Sequence, residues 1–180
     1  MLMDRERCAL LVVDVQARLL PAIHEGQAAL ESCVWLVRLA QRLGVPVLAT
    51  EQYPKGLGPT VPELAAVLPA EAVADKLHFS CVAGQCLPRL EGGGRPQLVL
   101  CGIEAHVCVL QTALELRAQG REVYLVEEAT GSRRPADKAL ALARLRQGGV
   151  RIVSREMVAF EWLRVAGTEL FKAVSQEFLR

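Results

Sequence analysis

Aromatic residues are scarce in this chain: two Trp, two Tyr and four Phe among 180 residues. So thin a supply argues against the stacking platforms that hold single-stranded nucleic acids. A charge excess of either sign is also missing. Twenty-one basic and 20 acidic residues leave a net charge of +1, so nothing global draws the chain to a phosphate backbone or an anionic membrane surface. No apolar run reaches the roughly 18–20 residues of a membrane span. The run after Arg7 is interrupted by Asp14 and is too short for the core of a secretory signal. There is no Cys-x-x-Cys and no Cys/His pair at zinc-finger spacing, and the three histidines (His24, His78 and His106) are too scattered for a metal motif. Internal repeats and low-complexity linkers are absent. These gaps leave a small-molecule substrate as the expected partner, with no nucleic acid, no membrane, no metal and no cofactor.

What is present is apolar. Hydrophobic residues make up 52% of the chain, more than disordered chains carry. A chain of this length forms one domain, residues 1–180, and buries roughly 70% of its unfolded surface without staples. Six cysteines stand at positions 8, 33, 81, 86, 101 and 108. Cys8 and Cys101 lie inside apolar strand-like runs, where a free thiol behaves as a small hydrophobe. Reduced thiols and a cytoplasmic location are the expectation.

Short β-like runs alternate with longer helical patterns. Residues 9–13 (ALLVV) read as a strand covered on both faces. Residues 27–43 read as a helix with Leu30, Val34, Val37 and Gln41 on one stripe, widened by Ala40 and stopped by Gly44. Further strands are expected over 45–49, 72–76, 98–101, 122–126 and 150–153. Helices are expected over 62–68, 85–91, 107–119 (stripe Leu110, Leu114, Ala118) and 135–147, with one or two more after Met157. Residues 50–60 (TEQYPKGLGPT), rich in Gly and Pro, read as a loop, and Gly92, Gly93 and Gly94 as a turn. The fold class is thus α/β, a six-stranded parallel sheet with helices on both faces, a Rossmann-like three-layer sandwich. Ligands in such folds bind outside the carboxyl ends of the strands, near a topological switch point.

Three polar residues fall at such ends. Asp14 follows the first strand, Lys76 ends the third, and Cys108 opens the helix after LVLCG. Each has a plain structural alternative: a strand-ending or capping Asp, a surface lysine, a core thiol. Together they suit nucleophilic catalysis. A thiol at a helix N-terminus faces unpaired N–H groups that favour its thiolate. A carboxylate beside it accepts the proton, a lysine orients that carboxylate, and N–H groups of the turn before the helix can bind an oxyanion.

The segments LLVVDVQ (residues 10–16), DKLHFS (75–80) and LCGIEAHVCVLQTA (100–113) resemble, in order and spacing, the three signature blocks of the isochorismatase-like cysteine hydrolases. EQYPKGLG (51–58) is similar to the isochorismatase domain-containing subgroup, and the resemblance runs from about residue 4 to about residue 165. It implies a catalytic triad of Asp14, Lys76 and Cys108, and a cis peptide between Ile103 and Glu104. It further implies oxyanion donors at the backbone N–H groups of Glu104 and Cys108, and a homo-oligomer. Two departures narrow the chemistry. Related nicotinamidases hold a metal through a D-x-H pair after the second strand, and that loop here has neither residue. True isochorismatases lack the nucleophilic cysteine. The resemblance therefore implies a cysteine-dependent hydrolase that cleaves the C–N bond of a small amide through a thioester. The rival reading is a catalytically silent or redox-sensing binding protein that keeps the fold; a metal-dependent amidase is the second. Gln16, Tyr53, His78 and His106 are candidate pocket residues. Arg133 and Arg134 read as a solvated pair, and Leu170, Phe171, Val174 and Phe178 as a face packed on the core or on another subunit.

Overall fold

A computed structural model describes residues 1–179. The first strand, β1 (Cys8–Val13), is buried along its whole length. Its side chains alternate between two layers: Cys8, Leu10 and Val12 join one hydrophobic cluster, Ala9, Leu11 and Val13 the other. That is the period of two that a strand covered on both faces requires. The chain continues through α1 (Gly26–Arg42), β2 (Val47–Gln52), α2 (Pro54–Leu57), α3 (Pro62–Ala65) and β3 (Val73–Lys76). It then crosses to β4 (Gln97–Ile103), α4 (Leu110–Ala118), β5 (Glu122–Gly131), α5 (Pro135–Gln147), β6 (Arg151–Val153), α6 (Arg155–Leu163) and α7 (Glu169–Phe178). The six strands pair in parallel, in the order β3-β2-β1-β4-β5-β6. The sheet grows outward from β1 on one side, then restarts from β1 on the other. The switch point therefore lies between β1 and β4. Helices α1, α6 and α7 cover one face, and α4 and α5 the other.

The α/β architecture matches the sequence expectation, and the differences have local causes. The loop expected over 50–60 begins three residues late, because β2 runs on to Gln52 before Pro54 opens α2. The helix expected over 85–91 is only a 3-10 turn, Leu87–Arg89; a Pro at its start and three glycines after it leave no room for more. The stripe on α1 is rotated from the expected one. Leu30, Cys33, Leu36, Val37 and Ala40 are buried, whereas Val34 is half-buried and Gln41 is exposed. On α4 the buried side is Leu110, Ala113 and Leu116, with Leu114 half-buried and Ala118 exposed. The last apolar face packs on the chain's own core. Val174 is buried, and Phe178 meets the Trp35 ring edge-on at 5.6 Å while its carbonyl accepts the indole N–H.

At the switch point β4 and β1 approach so closely that only glycine fits. Gly102 has φ +113°, and a Cβ there would lie 2.1 Å from the Val13 carbonyl oxygen. Gly102→Ala is expected to cost about 3 kcal/mol or more, since both the backbone conformation and the space exclude it. A urea melt of the variant beside wild type measures the loss.

Candidate functional site

Asp14 leaves β1 with φ 52°, a turn that directs its carboxylate across the carboxyl edge of the sheet. Lys76 is the last residue of β3, two strands away. Between them lies the end of β2, where Thr50 and Gln52 share a face because they are two residues apart. The four side chains form one buried network. Lys76 Nζ donates to Asp14 Oδ2 at 2.6 Å and to Gln52 Oε1 at 2.8 Å. Thr50 Oγ1 donates to Asp14 Oδ1 at 2.7 Å, and Gln52 Nε2 reaches the Leu77 carbonyl at 2.8 Å. The side chains of Asp14 and Lys76 have no exposed surface at all.

Cys108 reaches the same place from the other side of the switch point. After β4 the peptide Ile103–Glu104 is cis, and residues Ala105–Val109 form a single π-helical turn before α4 begins. Such turns recur at functional sites. The Cys108 thiol is buried and lies within the field of the Asp14 carboxylate and the Lys76 ammonium. The structure thus brings Asp14, Lys76 and Cys108 together.

The charge state differs from the sequence expectation. A thiol at a helix N-terminus was expected to favour its thiolate, but the α-helix starts two residues beyond Cys108. Burial pushes the thiol well above its ordinary range; the charge of the Asp14 carboxylate adds to this, Lys76 opposes, and the charge of Glu104 adds a little more. The resting group is therefore a neutral thiol near a buried carboxylate.

The other candidates are placed as follows. Gln16 is fully buried and holds the end of β2: its amide donates to the Gln52 and Gly58 carbonyls and accepts from the Gln52 N–H. Tyr53 and His78 are exposed beside the site, next to the exposed Leu77 and Phe79. The half-buried His106 shares a hydrogen bond between Nδ1 and Ser132 Oγ at 3.0 Å. Arg133 is exposed, in keeping with its reading as a solvated residue, and it also binds the carboxylate of the buried Glu104 at 2.9 Å. A cavity of about 750 Å³ does not touch the three residues. It lies over the ends of β5 and β6, between residues such as Ser32, Thr130, Lys138 and Met157. Chemistry, rather than cavity size, marks the Asp14 network as the site.

Comparison with known proteins bears on the family and the fold. The model of the isochorismatase domain matches residues 8–157. Isochorismatase domain-containing protein 2 of Danio rerio is 38% identical over 170 residues, spanning 93% of this chain and 84% of its own. The MAR1 ribonuclease structure from Caenorhabditis elegans superposes with a TM-score of 0.89 at 31% identity, covering 100% of this chain and 93% of the other. The YcaC gene product of Escherichia coli, described as an octameric hydrolase of unknown specificity, gives 0.86 at 27% identity, covering 92% and 83%. The chain belongs to the isochorismatase domain family.

Two outcomes follow from the buried network. Lys76→Met leaves the Asp14 carboxylate buried without its cation and is expected to cost about 3–5 kcal/mol, read by chemical denaturation. The second outcome concerns the thiols. Burial raises Cys8 to about 11 and Cys81 to about 12, and raises Cys86, Cys101 and Cys108 as well; for Cys101 the hydrogen bond with Cys33 is the larger cause. In the unfolded chain they deprotonate near their ordinary values, so above about pH 9 the folded state binds more protons than the unfolded one. Stability present below that pH is expected to fall as pH rises from about 9 toward 12, seen as a declining Tm.

Proposed function

We propose that this member of a hydrolase family is a cysteine-dependent amidase acting on the C–N bond of a small amide, with Asp14, Lys76 and Cys108 as its triad. The observation that carries the reading is the buried Cys108 thiol set beside a buried carboxylate that Lys76 and Thr50 hold in place. Asp14 takes the thiol proton as sulfur attacks the carbonyl carbon, and the carbonyl π electrons move to oxygen. Backbone N–H groups of Glu104 and Cys108 receive that oxyanion. As the intermediate collapses, the C–N bond breaks and the amine leaves with the proton from Asp14. Water then attacks the thioester, Asp14 takes its proton, and the carboxylic product departs as sulfur recovers a proton from Asp14. Lys76 keeps the carboxylate oriented throughout. Gln16, Tyr53, His78 and His106 border the pocket in this reading.

The raised thiol also weighs against a redox sensor, which needs a standing thiolate. A net charge of +1 gives no support to nucleic acid as substrate. Six free, buried cysteines support a reducing compartment, the cytoplasm. The exposed Tyr53, Leu77 and Phe79, together with the octameric YcaC relative, support a homo-oligomer, a dimer or larger.

A panel of small primary amides and esters, assayed by product release, tests the reading. Cys108→Ala is expected to lower turnover by about a thousandfold or more, and Asp14→Asn by a comparable factor. With wild-type enzyme and a slow substrate, mass spectrometry is expected to find the acyl group on Cys108. Turnover that survives Cys108→Ala overturns it.

A further inference from the structure

Beyond the triad, the segment after β5 grips the turn that carries the thiol. The grip has two points. Arg133 donates to one oxygen of Glu104, Oε1, from both its backbone N–H (3.2 Å) and its Nε (2.9 Å). One residue earlier, Ser132 Oγ shares its hydrogen bond with His106 Nδ1, while the Ser132 carbonyl accepts the His24 N–H. Glu104 and His106 flank Ala105 at the start of the π-helical turn, four and two residues before Cys108. The Glu104 carboxylate is buried; the Arg133 side chain is 59% exposed.

We infer that Arg133 is a positioning residue for the thiol turn, acting through Glu104. Its two bonds fix the Glu104 side chain, and so the turn that holds the Glu104 and Cys108 backbone donors. Its guanidinium also offsets the Glu104 charge, which otherwise holds the proton more tightly on Cys108. The charged groups bearing on Cys108 are Asp14 at the end of β1, Lys76 on β3 and Glu104 on its own turn. Arg133 is the cation paired with the last of these. The inference rests on the reading of Cys108 as nucleophile, but its test does not need a substrate.

The test is the rate of iodoacetamide alkylation of Cys108 against pH, from 6 to 10, in the full chain, followed by peptide mass spectrometry. Arg133→Met is expected to slow Cys108 about three- to tenfold at pH 8 and to move its profile to higher pH. Arg133→Lys recovers most of the rate. Glu104→Gln, which removes the opposing charge, moves the profile the other way. A wild-type rate and profile in Arg133→Met overturn the inference, whichever thiol proves fastest in the wild type. If that variant fails to fold, Glu104→Gln decides: an unshifted profile overturns it. Turnover surviving Cys108→Ala is a separate outcome, which sinks the amidase reading and leaves the alkylation profiles to judge Arg133.

Discussion

The ion pair between Lys76 and Asp14 is the constraint on which the rest of the site depends. Both side chains are sealed from water, and their contact is 2.6 Å long. A buried pair of this kind is tolerable only when its remaining lone pairs and protons are satisfied. Thr50 and Gln52 do this, and Gln16 and the Leu77 carbonyl hold Gln52 in turn. The pair therefore fixes the ends of β1, β2 and β3 against one another, on a sheet edge where side chains would otherwise be free to differ in direction. An apolar replacement would pack as well and give a stable domain, but it would leave no proton acceptor beside Cys108.

That acceptor matters because of the thiol's own surroundings. A cysteine buried among Val109, Leu110 and the β4 side chains has no standing tendency to ionise. A buried neutral thiol is also protected from oxidants and adventitious electrophiles, whose reaction needs a thiolate. The five other thiols are buried as well.

Much of this was legible in the residues. The apolar run ALLVV, the glycine stops and the Pro at the start of α5 fixed the element order because they are local signals. The ends of the first, third and fourth strands, where polar residues follow apolar ones, pointed to Asp14, Lys76 and Cys108. What stayed hidden depends on register. Thr50 and Gln52 read as loop residues because TEQYPKGLG has no apolar alternation after Ala49; that they face Asp14 and Lys76 follows from Val13 pairing with Thr50 and Gln52 with Lys76. Arg133 looked solvated because its guanidinium is largely so, and its partner is 29 residues away in sequence. On α1, Cys33 was missed as a core residue, and its thiol instead reaches the Ala129 carbonyl in the adjoining strand.

The pairing of β4 with β5 has a consequence of its own. From Leu100 to Gly102 on β4 the ladder advances two residues, while β5 advances five, from Leu125 to Thr130. The surplus bows β5 outward at Glu127 and Glu128 and resets which residues stand level with the end of β4. Ser132 and Arg133 arrive beside the turn that carries Cys108 only because of that offset. Chain length in this stretch is therefore a coded quantity. Surface loops of this fold tolerate insertions and deletions, but a single residue gained or lost between 126 and 130 would exchange the faces presented by Ser132 and Arg133.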